Sequence, residues 1–367
     1  MDKKITYLPG LNGLRAIAAL SVVISHISQK GIADFGLPLG FDLLMAGYGV
    51  TLFFVISGFL ITYLLLKEQN KTNTISIKKF YVRRILRIWP IYYLYIGICI
   101  LVLFLLKKSD EIFVPQIWYY IFFTANIPFV VQQGIIILVH YWSIGVEEQF
   151  YLLWPWIVRI SKNILLKTAF AIFILLFALK LFIWFEFGAS SYLYRLIMIT
   201  RFHCMMIGAL GAISYFRHKH IVTRLFANRI TQSVSWILFL LMGFGIIRIP
   251  PVIGQELVSL LSLSMIMGQI YVEKRIINLE NKYFDFIGKI SYGVYVIHPL
   301  IIILLSRVYK LISIPEFIKY PLVYSTVILS TIFFAWLSYT YFEEPFLKLK
   351  SKFTVVPSSN TMLFGKN

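Results

Sequence analysis

Apolar runs of about 20 residues recur along the whole chain, and they constrain the fold more than any other feature. A run of that length is what a helix needs to cross the hydrocarbon core of a bilayer. Backbone groups in lipid must pair within their own segment, so a chain built from such runs is all-α. The runs predict about ten transmembrane helices, at 11–29, 45–66, 88–106, 143–160, 164–184, 194–216, 232–248, 256–272, 289–309 and 320–342. The segment 111–129 is apolar as well, but Pro115 and Pro128 break it. It reads as a re-entrant or interfacial piece. Only 14% of residues are charged, where a soluble domain carries about a quarter. No polar stretch is long enough for a second domain, which leaves a transmembrane unit at 1–350 and a short tail at 351–367.

A formal charge of +19 raises the question of nucleic acid. Its distribution answers differently. With the N-terminus in the cytoplasm, 24 of the 35 Lys and Arg residues fall in cytoplasmic segments and 8 outside, the rest lying within spans. That asymmetry is the positive-inside pattern, with both termini cytoplasmic. It explains the charge as topology and contact with anionic membrane lipid, without a nucleic-acid partner. The expected location is the inner (plasma) membrane, crossed many times. Cys99 and Cys204 sit in apolar runs and read as buried thiols. The first run carries a charge in its core and no small-x-small cleavage site, so it reads as a span and not as a signal peptide.

That first run, LNGLRAIAALSVVISHIS, holds Arg15 and His26, eleven positions apart. On a helix they fall within about 20° of one face and about 16 Å apart along the axis. Ala18, Ala19 and Val22 lie between them, which predicts a shallow slot with a cation at one end and an imidazole at the other. Ionisable groups inside a span are costly and point to function. The plainer alternative is a snorkelling arginine and a histidine bonded to a neighbouring helix.

In YWSIGVEEQFYLLWPW, Glu147 and Glu148 lie little more than a turn into the fourth span, just after Trp142 and Ser143. Arg201 lies about two turns into the sixth span, followed by His203. By the topology count these groups share the outer half of the membrane with His26. One reading is a buried ion pair of Glu147 or Glu148 with Arg201 that fixes packing. The other is a polar pocket with a histidine base and a carboxylate that orients it. The loop KKFYVRRILRIWP brings Arg84 and Arg87 to one face if helical, next to Arg83. Paired guanidiniums suit a phosphate ligand, though basic juxtamembrane clusters also contact lipid. Ser57 and Gly58 read as close-packing residues. Pro299 frees the Tyr295 carbonyl, so the adjacent His298 reads as bonding backbone there or lining a cavity. Glu343 and Glu344 before Pro345 read as a helix stop. No metal constellation and no glycine-rich phosphate loop occurs in the sequence.

Taken together, these motifs resemble the acyltransferase 3 family of integral-membrane acyltransferases, over almost the whole chain. The first run looks like that family's Arg/Lys-x10-His helix, at Arg15 and His26. FFVISGFLI, FYVRRILRIWP with its Arg-x-x-Arg pair at Arg84 and Arg87, YWSIGVEEQFYLLWP, ISYGVYVIHPL and FEEP follow in the family's order. Asn12 stands where many members have Asp, and Ile144 where Leu is usual. No hydrolase-like outer domain follows the last span in this sequence, although some members carry one.

The resemblance implies a ten-helix fold and an acyl-coenzyme A donor used as substrate, with no bound cofactor. It also implies transfer of an acyl group, most often acetyl, to a hydroxyl of a cell-surface polysaccharide or glycolipid, with His26 as the catalytic residue. The expected site is then His26 and Glu147 for catalysis. Arg15, Arg84, Arg87, Trp142, Ser143, Glu148 and Arg201 would bind donor and acceptor. Partner proteins that deliver the acceptor fit this scheme. His26 acts there either as a base or as a transient acyl carrier. The rival class is a transporter or flippase for a lipid-linked glycan, which would use the same charges as a path. Against it, the sequence shows no inverted repeat.

Overall fold

Two glycines set a close helix contact at the centre of the molecule. In the computed structural model, which describes residues 8–31, 34–37, 43–107, 109–112 and 114–356, a Cβ on Gly58 would lie 2.0 Å from the Met205 carbonyl oxygen. One on Gly208 would lie 2.2 Å from that of Val55. The missing side chains let α2 (Met45–Thr72) and α7 (Phe202–Arg217) meet backbone to backbone, which is how helices associate where lipid supplies no hydrophobic drive. The expectation that Ser57–Gly58 serves close packing therefore holds for Gly58.

The other long helices are α1 (Leu11–His26), α3 (Ile77–Leu105), α4 (Tyr141–Ser161), α5 (Leu165–Phe187) and α6 (Tyr192–Thr200), with α2 between the first two and α7 following α6. Then come α8 (Lys219–Phe226), α9 (Arg229–Gly243), α10 (Pro251–Ile270), α11 (Lys282–Lys289), α12 (Ser291–Lys310), α13 (Glu316–Leu337) and α14 (Glu344–Lys352). No strand occurs among the described residues. α2 sits at the centre, with 83% of its most apolar window buried, against 17% for the stretch 141–187. α5 turns Leu175, Phe182 and Phe185 outward, an apolar exposure suited to lipid. The molecule is a multi-pass membrane protein.

Among the described residues, eight stretches are long and apolar enough to cross a membrane, or nine if α8 and α9, bent by 53°, count as one span. The sequence predicts ten. The difference lies in the 47-residue stretch 141–187, which covers two predicted spans. A straight helix would hold residues 150 and 180 about 45 Å apart. Yet Phe202 packs on Phe150, while its neighbour His203 meets Glu256, which also binds Lys180. The chain therefore turns back at Lys162, whose φ is +28°.

Two further expectations change. The basic stretch before the third span is not a loop: α3 starts at Ile77, capped by Ser76, and carries the arginines on helical turns. The segment 111–129 agrees with its reading as a re-entrant or interfacial piece: among the described residues it holds two five-residue helices over 117–130, too short to cross a bilayer. Glu343–Glu344 does not stop the last helix. α13 passes through a π-helical turn at Ser338–Glu343 into α14, and Pro345 sits in the first turn of α14, where a proline costs nothing. Among the topology charges, Lys3, Lys4, Lys108 and Lys366 lie outside the described residues, as does the tail from 357 onward.

Candidate active site

The slot expected along α1 is closed. Ala18, Ala19 and Val22 are each no more than 1% exposed. A Cβ on Gly49 would lie 2.7 Å from the Ala18 carbonyl, so the small residues admit the α2 backbone instead of leaving a groove. The open space lies one helix over. A cavity of about 80 Å³ runs between α2, α3, α4 and α12, and α1 contributes only Arg15 to its lining.

One end of this cavity is cationic. Arg15, Arg84 and Arg87 line it together with Glu147 and Tyr151. The helical course of α3 explains the pairing of Arg84 with Arg87, three residues on. The Arg84 guanidinium lies 5.8 Å from the centres of the Phe80 and Tyr151 rings, and its buried Nε has no hydrogen-bond partner. Arg83 turns away to a 2.9 Å ion pair with Glu68 and to the Phe353 carbonyl. Arg87 also lines a second, smaller cavity with Lys289, Tyr292, Glu343 and Lys350. Glu343, expected to be a helix end, is thus buried beside cations.

Glu147 belongs to this arginine end. It accepts a 2.6 Å hydrogen bond from Ser57 and shares the cavity with the three guanidiniums. Glu148 accepts a long 3.4 Å bond from the Trp89 indole. Neither meets Arg201, which donates to the Gly47 carbonyl (2.8 Å), Thr51 Oγ1 (3.0 Å) and the Met198 carbonyl. Arg201 sits at the break between α6 and α7 with φ of +45°, its guanidinium 5.4 Å from the Trp142 ring centre. The buried ion pair is made elsewhere, by Lys180 and Glu256 at 2.8 Å, with His203 beside it. The sequence placed the carboxylates by depth alone. Which face of α4 they occupy is set by packing, and that face points to α2 and α3.

The other end of the cavity reaches Ser143 and Tyr295. Their hydroxyls lie 2.6 Å apart, and Tyr295 also donates to the His140 carbonyl. Behind them three imidazoles gather. His26 Nδ1 lies 2.9 Å from His298 Nε2. The His298 ring packs edge-on against His140, centres 5.4 Å apart. His140 Nε2 bonds the Val296 carbonyl, while its buried Nδ1 has no hydrogen-bond partner. Among the described residues an imidazole, that of His298, is brought to His26, while Glu147, which the sequence suggested, is held by Ser57 at the arginine end. His298 bonds the Tyr295 carbonyl freed by Pro299, at 2.7 Å, which is the backbone-bonding one of its two readings. His140 and Tyr295 were missed. A histidine just before a span and a tyrosine within one look ordinary in sequence, and only the fold joins them. Among the described residues no group of His, Cys, Asp or Glu could hold a metal ion.

The family model described as "Acyltransferase domain" matches residues 8–340. A Staphylococcus aureus (strain COL) protein named "Putative O-acetyltransferase" is 32% identical over 94% of this chain and 58% of its own length. The Staphylococcus aureus (strain NCTC 8325 / PS 47) protein named "O-acetyltransferase OatA" is 30% identical over 93% of this chain and 57% of its own length. The chain thus spans a little over half the length of the curated relatives it matches. No solved structure matches it.

Proposed function

This chain belongs to the acyltransferase 3 family, and on that premise we propose that it transfers an acyl group, acetyl foremost, from cytoplasmic acyl-coenzyme A to a hydroxyl of a cell-surface polysaccharide or glycolipid. The observation that carries this reading is the single cavity joining three arginines to the Ser143–Tyr295 edge of the histidine cluster. The phosphates of coenzyme A suit Arg15, Arg84 and Arg87. The thin acyl-pantetheine arm suits the space between α2, α3, α4 and α12. His26 then takes the proton of the acceptor hydroxyl as its oxygen attacks the thioester carbonyl. The carbon–sulfur bond breaks and the leaving thiolate receives that proton. A thioester is already activated, so a base and positioning suffice. Glu147, between the guanidiniums and Ser57, is assigned to balancing the arginine charge. Arg201 and Trp142 are assigned to the acceptor side, and Glu148 to the donor side.

Purified full-length protein should consume acetyl-coenzyme A only when cell-surface polysaccharide is added, with acetyl ester appearing on the glycan. Consumption with no ester formed would sink the proposal. The donor site has its own test. Each lost charge-assisted contact is worth roughly 1.5–3 kcal/mol. Arg84→Ala with Arg87→Ala should therefore raise the apparent KM for acetyl-coenzyme A at least about tenfold. An unchanged KM in inserted protein would return both arginines to lipid contact.

We further propose ten spans, with both termini cytoplasmic, in the inner (plasma) membrane. The fold-back at Lys162 and the bent α8–α9 pair support that count. Reporter fusions at Asn73 and after Lys350 should read cytoplasmic and one at Gln132 external. A cytoplasmic reading at Gln132 would reverse the assignment of the segment 111–129.

A further inference from the structure

The hydrogen bonds around Pro299 fix more than a kink. Proline has no N–H, so the Tyr295 carbonyl one turn earlier loses its helical donor. His298 Nδ1 lies 2.7 Å from that oxygen. A carbonyl can only accept, so His298 carries its proton on Nδ1. In the neutral ring, Nε2 is then an acceptor. The atom 2.9 Å from it is His26 Nδ1, which must be the donor of that pair. With its proton on Nδ1, neutral His26 has its basic lone pair on Nε2. His298 is fully buried and packed against Tyr295 and His140, so this relay has a rigid frame.

We propose that His298 is a positioning residue that holds His26 as the Nδ1–H tautomer, so that Nε2 is the nitrogen which takes the acceptor proton. The inference rests on the reading of His26 as the base. It assigns Pro299 a chemical task as well: by vacating the Tyr295 carbonyl, it sets the polarity of both rings. No covalent step is added. The proton travels from the acceptor hydroxyl to His26 Nε2 and on to the leaving thiolate, while the two Nδ1 protons stay in place.

The test uses the full chain in detergent micelles with acetyl-coenzyme A and polysaccharide. His298→Leu fills a similar volume but offers no acceptor. It should lower kcat at least about tenfold, as losing a histidine's tautomer partner does, with the donor KM unchanged. His298→Gln can restore the relay, its amide N–H donating to the Tyr295 carbonyl and its amide oxygen accepting from His26. It should recover most of the lost kcat, which a purely structural role would not give. The spectroscopic check is the 15N spectrum of histidine-labelled protein, in which His26 should show a protonated Nδ1 and a bare Nε2. In His298→Leu the two tautomers should mix. If His26→Gln is inactive while His298→Leu keeps full kcat and an unmixed tautomer, the positioning role is wrong and the base reading stands. If His26→Gln is itself active, the base reading falls first.

Discussion

His26→Gln is expected to leave the protein inserted and able to bind acetyl-coenzyme A, while acyl transfer falls by about 10²–10⁴-fold. The size follows from removing a general base whose surroundings stay in place. Glutamine retains an N–H that can still meet His298 Nε2, so the cluster behind it need not rearrange. Donor binding should survive because Arg15, Arg84 and Arg87 belong to the far end of the cavity. The measurement is initial rate of acetyl-ester formation beside donor affinity for the same preparation. A variant that binds donor normally and transfers at the wild-type rate would remove His26 from the chemistry. Equal loss of binding and rate would mean that the imidazole serves the donor site instead.

How much of this was legible in the sequence depends on what each signal encodes. The all-helical, multi-pass character was readable because length and apolarity are local properties of the chain. Arg84 and Arg87 were readable as a pair on the condition of a helix, in which three residues make nearly one turn, and α3 meets that condition. The free Tyr295 carbonyl was readable because Pro299 leaves an acceptor at a fixed offset, while the choice of His298 between backbone and cavity was settled only by the fold. The partner of Glu147 was not, because depth in the membrane says nothing about helix azimuth. Ser57, on a helix ninety residues earlier, decides it. The slot on α1 failed for a related reason. Small residues are equally good at forming a groove and at admitting a neighbour, and Gly49 on α2 turned Ala18 to the second use. His140 was invisible because its meaning comes from α12, 156 residues later.

That closed slot makes the route of the donor arm testable. Val50 on α2 lines the cavity and is 5% exposed. It shares the cavity wall with Arg15 and Ser143, so bulk placed there intrudes on the path between the cationic end and Ser143. Val50→Phe should lower acyl transfer by about 10²-fold, the order expected when a reacting group is displaced by about 1 Å. Val50→Ala removes bulk from the same wall and should keep activity near wild type. Its cost is packing alone, of order 1 kcal/mol for a small core truncation. Ala18→Leu makes the contrast. Its side chain would press into the interface where the α2 backbone already approaches, so it should reduce the yield of folded protein, by a typical overpacking cost of about 1–3 kcal/mol. The molecules that do fold should turn over normally. Rates normalised to folded protein would separate the two routes. If Val50→Phe transfers at full rate while folded Ala18→Leu cannot, the arm runs along α1 after all, and the cavity between α2, α3, α4 and α12 has another occupant.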